Sequence, residues 1–523
     1  MKKLGIVLLF LILIGAAVHS VSYYPTTSDD AFISLRYSQN LVDGHGLVYN
    51  PGREPVEGFS NPLLVFLTAA FLFLGVPELW ILKGIGLAAF VGSVALLAGR
   101  RSFSTPLDLA GPALLAASPF AALWSMAGLE TSLYAFLILA GVVVASREIG
   151  GRRARWTPVV FLLVALSRPE GGLLCFGAFA AQWLLSAARW RVVGGWFVGW
   201  GIPFVSLVAA RFFYFGSLTP NTYTAKVDAG ASAVAKAGDY LLSFFIEGGF
   251  WIALPALVVL CVLAAGRRRK NRLILAAVLI VAQIVFLLVV GRDFMPGYRF
   301  LMPVYPLTCL LAGDLIVRIG VRFPSLWPRL AAGALVAGLC AGTWASQSDS
   351  LAHHKHRFWL LQSGPWTSYL FQKNLEGTWL EGHEKVAAYL RRNAGPRDVL
   401  VLGPAGVIPY YSELVTIDLF GLTDTTVAGL VNRKPEEMTL SASGVPTLLI
   451  ELQQYIYSFE PRWIMFDGHF RADGSFVPRF GSGITRTAEW AKYSLAFTAT
   501  VYPAEWSHDG LPRVNVLYER RGR

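Results

Sequence analysis

Charge is what this chain has least of. Only 15% of its 523 residues are Asp, Glu, Lys or Arg, against about 25% in a typical soluble domain. Mean hydropathy is +0.51, and 54% of residues are hydrophobic. That deficit excludes an ordinary soluble enzyme and points to a polytopic membrane protein. Cysteine is scarce as well. Cys175, Cys261, Cys309 and Cys340 all fall in or beside apolar segments. None lies in the polar C-terminal region, so that region is expected to fold without disulfides. There is no phosphate-binding glycine loop, no internal repeat, and no Ser-His-Asp or thiol-nucleophile constellation. Gly403-Pro404-Ala405-Gly406 after a strand candidate is too slight a match to imply a nucleotide. The formal net charge of +12 does not mark a nucleic-acid binder, because Lys and Arg fall in short loops between apolar runs.

Those apolar runs give about eleven spans: 4–20, 80–99, 107–123, 131–146, 156–166, 172–188, 192–213, 250–265, 273–290, 300–317 and 330–344. The segment 62–75 is apolar but short and reads as re-entrant or interfacial. Lys2-Lys3 before the first run resembles a signal peptide. His19-Ser20-Val21 is a poor cleavage site, so an uncleaved helix is expected. With the N-terminus inside, every short loop rich in Arg and Lys falls on the cytoplasmic face. The opposite face then receives the outer loop 21–61, the turns near 129 and 169, the loops 214–248 and 291–299, and the C-terminal region. The expected division is a transmembrane part, 1–345, and a soluble α/β part, 346–523, outside the membrane. Helix is expected over 384–392 and strands over 398–402, 461–466 and 514–518.

The longest polar interruption in the first 215 residues is SDDAFISLRYSQNLVDGHGLVYNPGREPVEGFSN, residues 28–61. Asp29 and Asp30 open it where the chain should leave the bilayer, and carboxylates there mark a functional site by default. Ser28 or Asp29 suits a helix N-cap. Arg36, Gln39, Asn40 and Asp43 recur at helical spacing opposite Ile33, Tyr37 and Leu41. This predicts an amphipathic helix in the membrane interface.

Charged residues gather on that same face: Asp29, Asp30, Arg36, Glu57, Glu130, Arg168, Glu170, Lys226, Arg292, Asp293 and Arg299. A carboxylate can take the proton from an attacking hydroxyl, and Arg or Lys can hold a leaving phosphate. The set therefore suits a reaction on an anionic, lipid-linked substrate. Structural pairing or snorkelling is the competing reading for each charge singly. His353-His354-Lys355-His356 reads as a solvated linker rather than a metal tract. No metal site or cofactor is assigned, and metal dependence stays open.

SDDAFISLRYSQNLVDGHGLVYNPG and EGFSNP, which contains Asn61, resemble the signature of bacterial arabinofuranosyltransferase-like membrane proteins of the GT-C group. AGLET at 127–131, LSRPEG at 166–171, LTPNTYTAK at 218–226 with Asn221, GRDFMPGYRFLMPVYP at 291–306 and GVIPYYSELVTIDLFGLTD at 406–424 resemble that family too. Gly-Arg-Asp stands at 291–293 where many relatives have Gly-Gly-Asp. The resemblance implies a GT-C fold and a polyprenyl-phosphate-linked sugar as donor. It also implies a glycan acceptor and transfer with inversion on the outer face of the inner membrane. It maps the catalytic base to Asp29 or Asp30. Neighbours on a helix point about 100° apart, so the two do not share one role. Asp29 is the first expectation, being nearer the loop end. The sugar stays open, with arabinofuranose one candidate. The competing functions are an envelope or flagellar assembly protein without catalysis and a transporter of lipid-linked precursors. A transporter predicts charges within spans and internal repeats.

Overall fold

The computed structural model describes residues 2–99, 105–149, 155–222, 231–248, 267–293, 295, 297–322, 326–357, 379–431, 447–470, 475–478, 484–502 and 513–521. Helices α1 (Lys2–Val21), α2 (Asp29–Val42), α3 (Pro62–Phe73) and α4 (Glu78–Ala98) come first. A bent pair follows, α5 (Ala110–Ala116) and α6 (Pro119–Met126), then α7 (Thr131–Glu148), α8 (Thr157–Ser167), α9 (Gly171–Leu185) and α10 (Arg189–Trp196). A π-helical turn at Phe197–Gly201 joins α10 to α11 (Ile202–Phe215). Next are α12 (Ala231–Glu247), α13 (Arg267–Val290), α14 (Tyr305–Arg322) and α15 (Leu326–Arg357).

These helices bury a shared core. Phe120, Trp124, Tyr134 and Phe161 are fully enclosed. α4 packs on α7, α7 on α8, α9 on α13, and α5 on α14. Large side chains such as Phe10, Phe73, Trp80 and Phe213 remain exposed, as a lipid-facing surface requires. Among the described residues six helices are long and apolar enough to cross a bilayer. Counting the 56° bent pair α5–α6 as one span gives seven. α8 and α9 are shorter, with 11 and 15 residues, and at about 1.5 Å per residue neither covers a 30 Å hydrocarbon core. The expected span at 250–265 lies outside the described residues. The chain is a multi-pass helical membrane protein.

The polar C-terminal region forms an α/β unit. α15 continues past 346, so the boundary drawn at 345/346 falls inside a helix, and the His353–His356 tract occupies its last turns. After it come α16 (Trp379–Asn393), β1 (Val399–Leu402), α17 (Val407–Ser412), β2 (Val415–Asp418), α18 (Thr425–Val431), α19 (Thr447–Ser458), β3 (Trp463–Phe470), β4 (Phe476–Pro478), β5 (Tyr493–Tyr502) and β6 (Arg513–Arg520). The sheet order is β2-β1-β3-β6-β5, with β4 on β3. β1 runs parallel to β2 and β3, and β6 runs antiparallel to β3 and β5. Alternation along the strands feeds two cores. Leu400, Leu402, Trp463, Met465 and Leu517 meet α16 through Val386 and Leu390. Val401, Ile417, Ile464 and Phe466 meet Val427 and Ile456 on the other face. All four expected elements of this region appear, each within a few residues of its expected bounds.

Candidate active site

The expected interfacial helix is α2, but it does not lie open at an interface. Ten of its fourteen residues are buried, Arg36 and Asn40 of the expected polar stripe among them. The reason is that α2 is enclosed on three sides. Ser38 donates to the Val65 carbonyl of α3 at 2.9 Å. Tyr37 donates to the Val56 carbonyl at 2.5 Å and accepts from the Gly58 amide at 2.9 Å. Arg36 donates to the carbonyls of Tyr49 and Leu414, each at 2.7 Å, and of Pro409. Ser28 is the N-cap residue but makes no side-chain cap bond. Instead its amide donates to the Ala127 carbonyl at 2.9 Å, tying the start of α2 to the Gly128-Leu129-Glu130 turn. Gly128 supports that approach with φ +78°, a conformation L side chains rarely adopt.

One residue apart, Asp29 and Asp30 point to different places. The Asp29 carboxylate is buried and accepts the amides of Gly406 at 3.0 Å and Val407 at 2.9 Å. His383 Nδ1 stands 3.8 Å from it. Burial pushes Asp29 up to about 7 against the pull of those two amides. The same desolvation pushes His383 down to about 3. Asp30 lines a cavity of about 330 Å³ together with Ile33, Ser34, Gly58, Phe59, Ser60, Asn61, Leu129, Glu130, Arg168, Pro169, Glu170, Thr222, Phe286, Val289, Val290, Arg299, Phe300 and Leu422.

A buried polar network makes one wall of this cavity. Arg168 follows the last turn of α8 and stays outside the helix because Pro169 succeeds it. Its Nη1 holds Glu130 at 2.5 Å and its Nε holds Glu170. Asn61 donates to Glu130 at 2.8 Å and accepts from Ser34 at 2.9 Å. Burial opposes the Glu130 charge, but Arg168, Arg299 and Asn61 together hold its carboxyl below the usual range. Arg299 is forked on Asp293 at 2.6 and 3.2 Å. Both guanidiniums flank the Phe300 ring, at 5.3 and 5.4 Å. Phe286, Val289 and Val290 of α13 supply an apolar wall.

The remaining sequence candidates stand elsewhere. Arg36 is engaged by backbone carbonyls and by the Tyr49 ring at 4.6 Å, so it docks the outer segment and does not line the cavity. Glu57 pairs with Arg211 at 2.6 Å. Asn221 takes the Glu57 carbonyl with its amide at 3.0 Å and gives its side chain to the carbonyls of Gly421 at 2.7 Å and Leu422 at 3.0 Å. Together Glu57 and Asn221 clamp three loops behind the cavity. Arg292 is exposed and lines no part of the cavity. Lys226 lies outside the described residues. Among the described residues no cluster of three His, Cys, Asp or Glu could hold a metal ion.

Sequence reasoning missed Ser34, Arg211, His383 and Asp418. Asp418 is fully buried and accepts the amides of Phe420 at 2.8 Å, Leu422 at 2.7 Å and Thr423 at 3.1 Å. It thereby shapes the loop that brings Leu422 to the cavity. An aspartate closing a strand and followed by Gly421 is the signal that could have found it.

Comparison with known proteins bears on this site. Residues 371–515 match the family model described as "Domain of unknown function (DUF8728)". Over 387 residues the chain is 30% identical to the terminal β-(1→2)-arabinofuranosyltransferase of Mycobacterium tuberculosis. The alignment covers 62% of this chain and 59% of that protein, so the chain spans less than two thirds of its relative. In three dimensions it is similar to ArnT from Cupriavidus metallidurans bound to undecaprenyl phosphate: TM-score 0.56, 15% identity, covering 98% of this chain and 97% of that one. It is also similar to the Archaeoglobus fulgidus oligosaccharyltransferase in complex with Zn and sulfate: TM-score 0.55, 11% identity, covering 95% and 79%. The chain thus has the GT-C fold of membrane glycosyltransferases, and in sequence it resembles the terminal arabinofuranosyltransferases.

Proposed function

We propose that this protein transfers a sugar from a polyprenyl-phosphate donor to a hydroxyl of an envelope glycan, on the outer face of the inner membrane and with inversion. The observation that carries this reading is the composition of one cavity. Its lining combines a carboxylate, Asp30, with two guanidiniums, Arg168 and Arg299, and the apolar wall of α13. Asp30 accepts the proton of the attacking hydroxyl as its oxygen bonds to the anomeric carbon. The bond from that carbon to the phosphate oxygen breaks on the opposite side, and its electron pair leaves with the phosphate. Arg168 and Arg299 stabilise that charge. Glu130, Glu170 and Asp293 hold the two guanidiniums in place, so they are oriented before the donor enters. Phe286, Val289 and Val290 receive the first isoprene units. The ArnT structure with undecaprenyl phosphate and the arabinofuranosyltransferase alignment support a lipid-phosphate donor and make arabinofuranose the first sugar to try. In this reading the chain crosses the membrane about eleven times, the short α8 and α9 crossing where the bilayer thins around them, and α16 to β6 lie outside with the cavity.

The test is release of polyprenyl phosphate from a synthetic polyprenyl-phosphate arabinofuranose by purified protein with an oligosaccharide acceptor. We expect a product of opposite anomeric configuration, and loss of about 10²–10⁴-fold in Asp30→Asn, the usual worth of a general base. No transfer from any polyprenyl-phosphate sugar would favour the assembly-protein reading.

A further inference from the structure

The face of α2 that carries Asp29 sets the aim of the face that carries Asp30. Asp29, Phe32 and Arg36 fall at i, i+3 and i+7, a single stripe along the helix. The whole stripe is occupied by one outer segment, residues 405–414 between β1 and β2. Asp29 takes the amides of Gly406 and Val407 at 3.0 and 2.9 Å. Phe32 meets the rings of Tyr410 and Tyr411, each at 5.6 Å. Arg36 holds the carbonyls of Pro409 and Leu414. The approach at Asp29 is close enough to exclude a side chain. A Cβ on Gly406 would stand 2.0 Å from the Asp29 carbonyl oxygen. Beside the stripe, Asn50 exchanges two hydrogen bonds with the Thr416 backbone, at 2.8 and 3.0 Å.

This arrangement fixes the rotation of α2 about its own axis. Side chains reach about 5–6 Å from a helix axis, so a roll of about 10° carries a carboxylate by about 1 Å. A displacement of about 1 Å from the attacking hydroxyl is enough to cost about 10²-fold in rate. We propose that Asp29 is a positioning residue. By gripping the Gly406 and Val407 amides it locks α2 to the outer segment, and that lock points Asp30 at the acceptor. The outer α/β unit thereby becomes part of the catalytic machinery without contributing the base. This proposal rests on the reading of Asp30 as the base.

The experiment uses the full-length protein in lipid nanodiscs, with three variants of the contact. Asp29→Ala removes the grip from one side. Gly406→Ala breaks it from the other and leaves Asp29 in place. Both should lower kcat by about 10- to 100-fold with the donor KM within about twofold of wild type. In an Asp29→Ala protein carrying Asn50→Cys and Thr416→Cys, a short thiol crosslinker, its attachment verified by mass spectrometry, should return kcat to within about threefold of the crosslinked parent. Wild-type kcat in both Asp29→Ala and Gly406→Ala overturns the proposal. So does a loss in Asp29→Ala that the crosslink does not relieve while Gly406→Ala turns over normally, because Asp29 would then act in the chemistry itself. If Asp29→Ala fails to fold, Gly406→Ala decides alone. Asp30→Asn, measured in parallel, separates the two readings: normal turnover there sinks the base assignment and not the lock.

Discussion

Two faces of one fourteen-residue helix meet opposite surroundings. The Asp29 face is buried, packed and engaged with backbone from the outer unit. The Asp30 face opens on a cavity bordered by guanidiniums and apolar side chains. Adjacent carboxylates with the same chemistry therefore sit in different surroundings, because about 100° of helix rotation separates them. The same contrast separates two buried arginines. Arg36 donates to three carbonyls that nothing in a reaction would move. Arg168 bridges two carboxylates and lines the cavity.

Substituting the two arginines sharpens that comparison most. Lys keeps the charge but cannot reproduce the planar fork. Arg168→Lys should weaken use of a polyprenyl-phosphate donor by about ten- to a hundred-fold, the worth of a charge-assisted contact of about 1.5–3 kcal/mol, with a melting temperature near wild type. Arg36→Lys should do the reverse. Loss of its fixed carbonyl contacts loosens the outer segment, lowering the melting temperature while the surviving folded protein keeps its donor KM. Identical behaviour of the two variants in kinetics and melting would erase the distinction between docking and cavity arginines.

A smaller effect comes from pH. Burial, the largest cause, pushes both Asp29 and Asp418 up to about 7, whereas in the unfolded chain such groups ionise near pH 4, about the model-peptide value. Between those values the folded protein keeps protons that the unfolded chain has released. Their contribution to stability is therefore present at low pH and lost as pH rises through about 7. His383 opposes this. Held down to about 3 by burial, it costs stability as pH falls below its ordinary value of about 6.5. The two carboxyls outweigh the one histidine above about pH 4, so we expect a stability optimum near pH 4 and a fall of about 2 °C in melting temperature from pH 6 to 8. Scanning calorimetry of wild type and Asp418→Asn checks it: the variant should show the shallower slope over that interval.

How much of this was legible in the sequence follows from the range of each interaction. Helix punctuation placed Glu130, Arg168 and Glu170 at turns on one face, and those three do meet in the structure. The apolar runs announced the membrane helices, and alternation in the C-terminal region announced the strands. What the sequence hid was long-range. Arg36 looked like the solvated stripe of an interfacial helix because its carbonyl partners at 409 and 414 lie more than 370 positions away. Gly406 looked like a poor nucleotide loop, and its use as a seat for the Asp29 carboxylate appears only once the two units are docked. α8 matches its short expected run at 156–166, and α9 ends at Leu185, three residues before its expected bound of 188.

Chemical rescue tests the central claim most directly. Asp30→Ala removes the proposed base and leaves space in the cavity for a small carboxylate. We expect transfer from the polyprenyl-phosphate sugar to fall by about 10²–10⁴-fold and to recover in part when formate is added. Asp29→Ala, whose lost contact is with the outer unit, should gain nothing from formate. Near-normal turnover of Asp30→Ala, or formate rescue of Asp29→Ala in its place, would contradict the account.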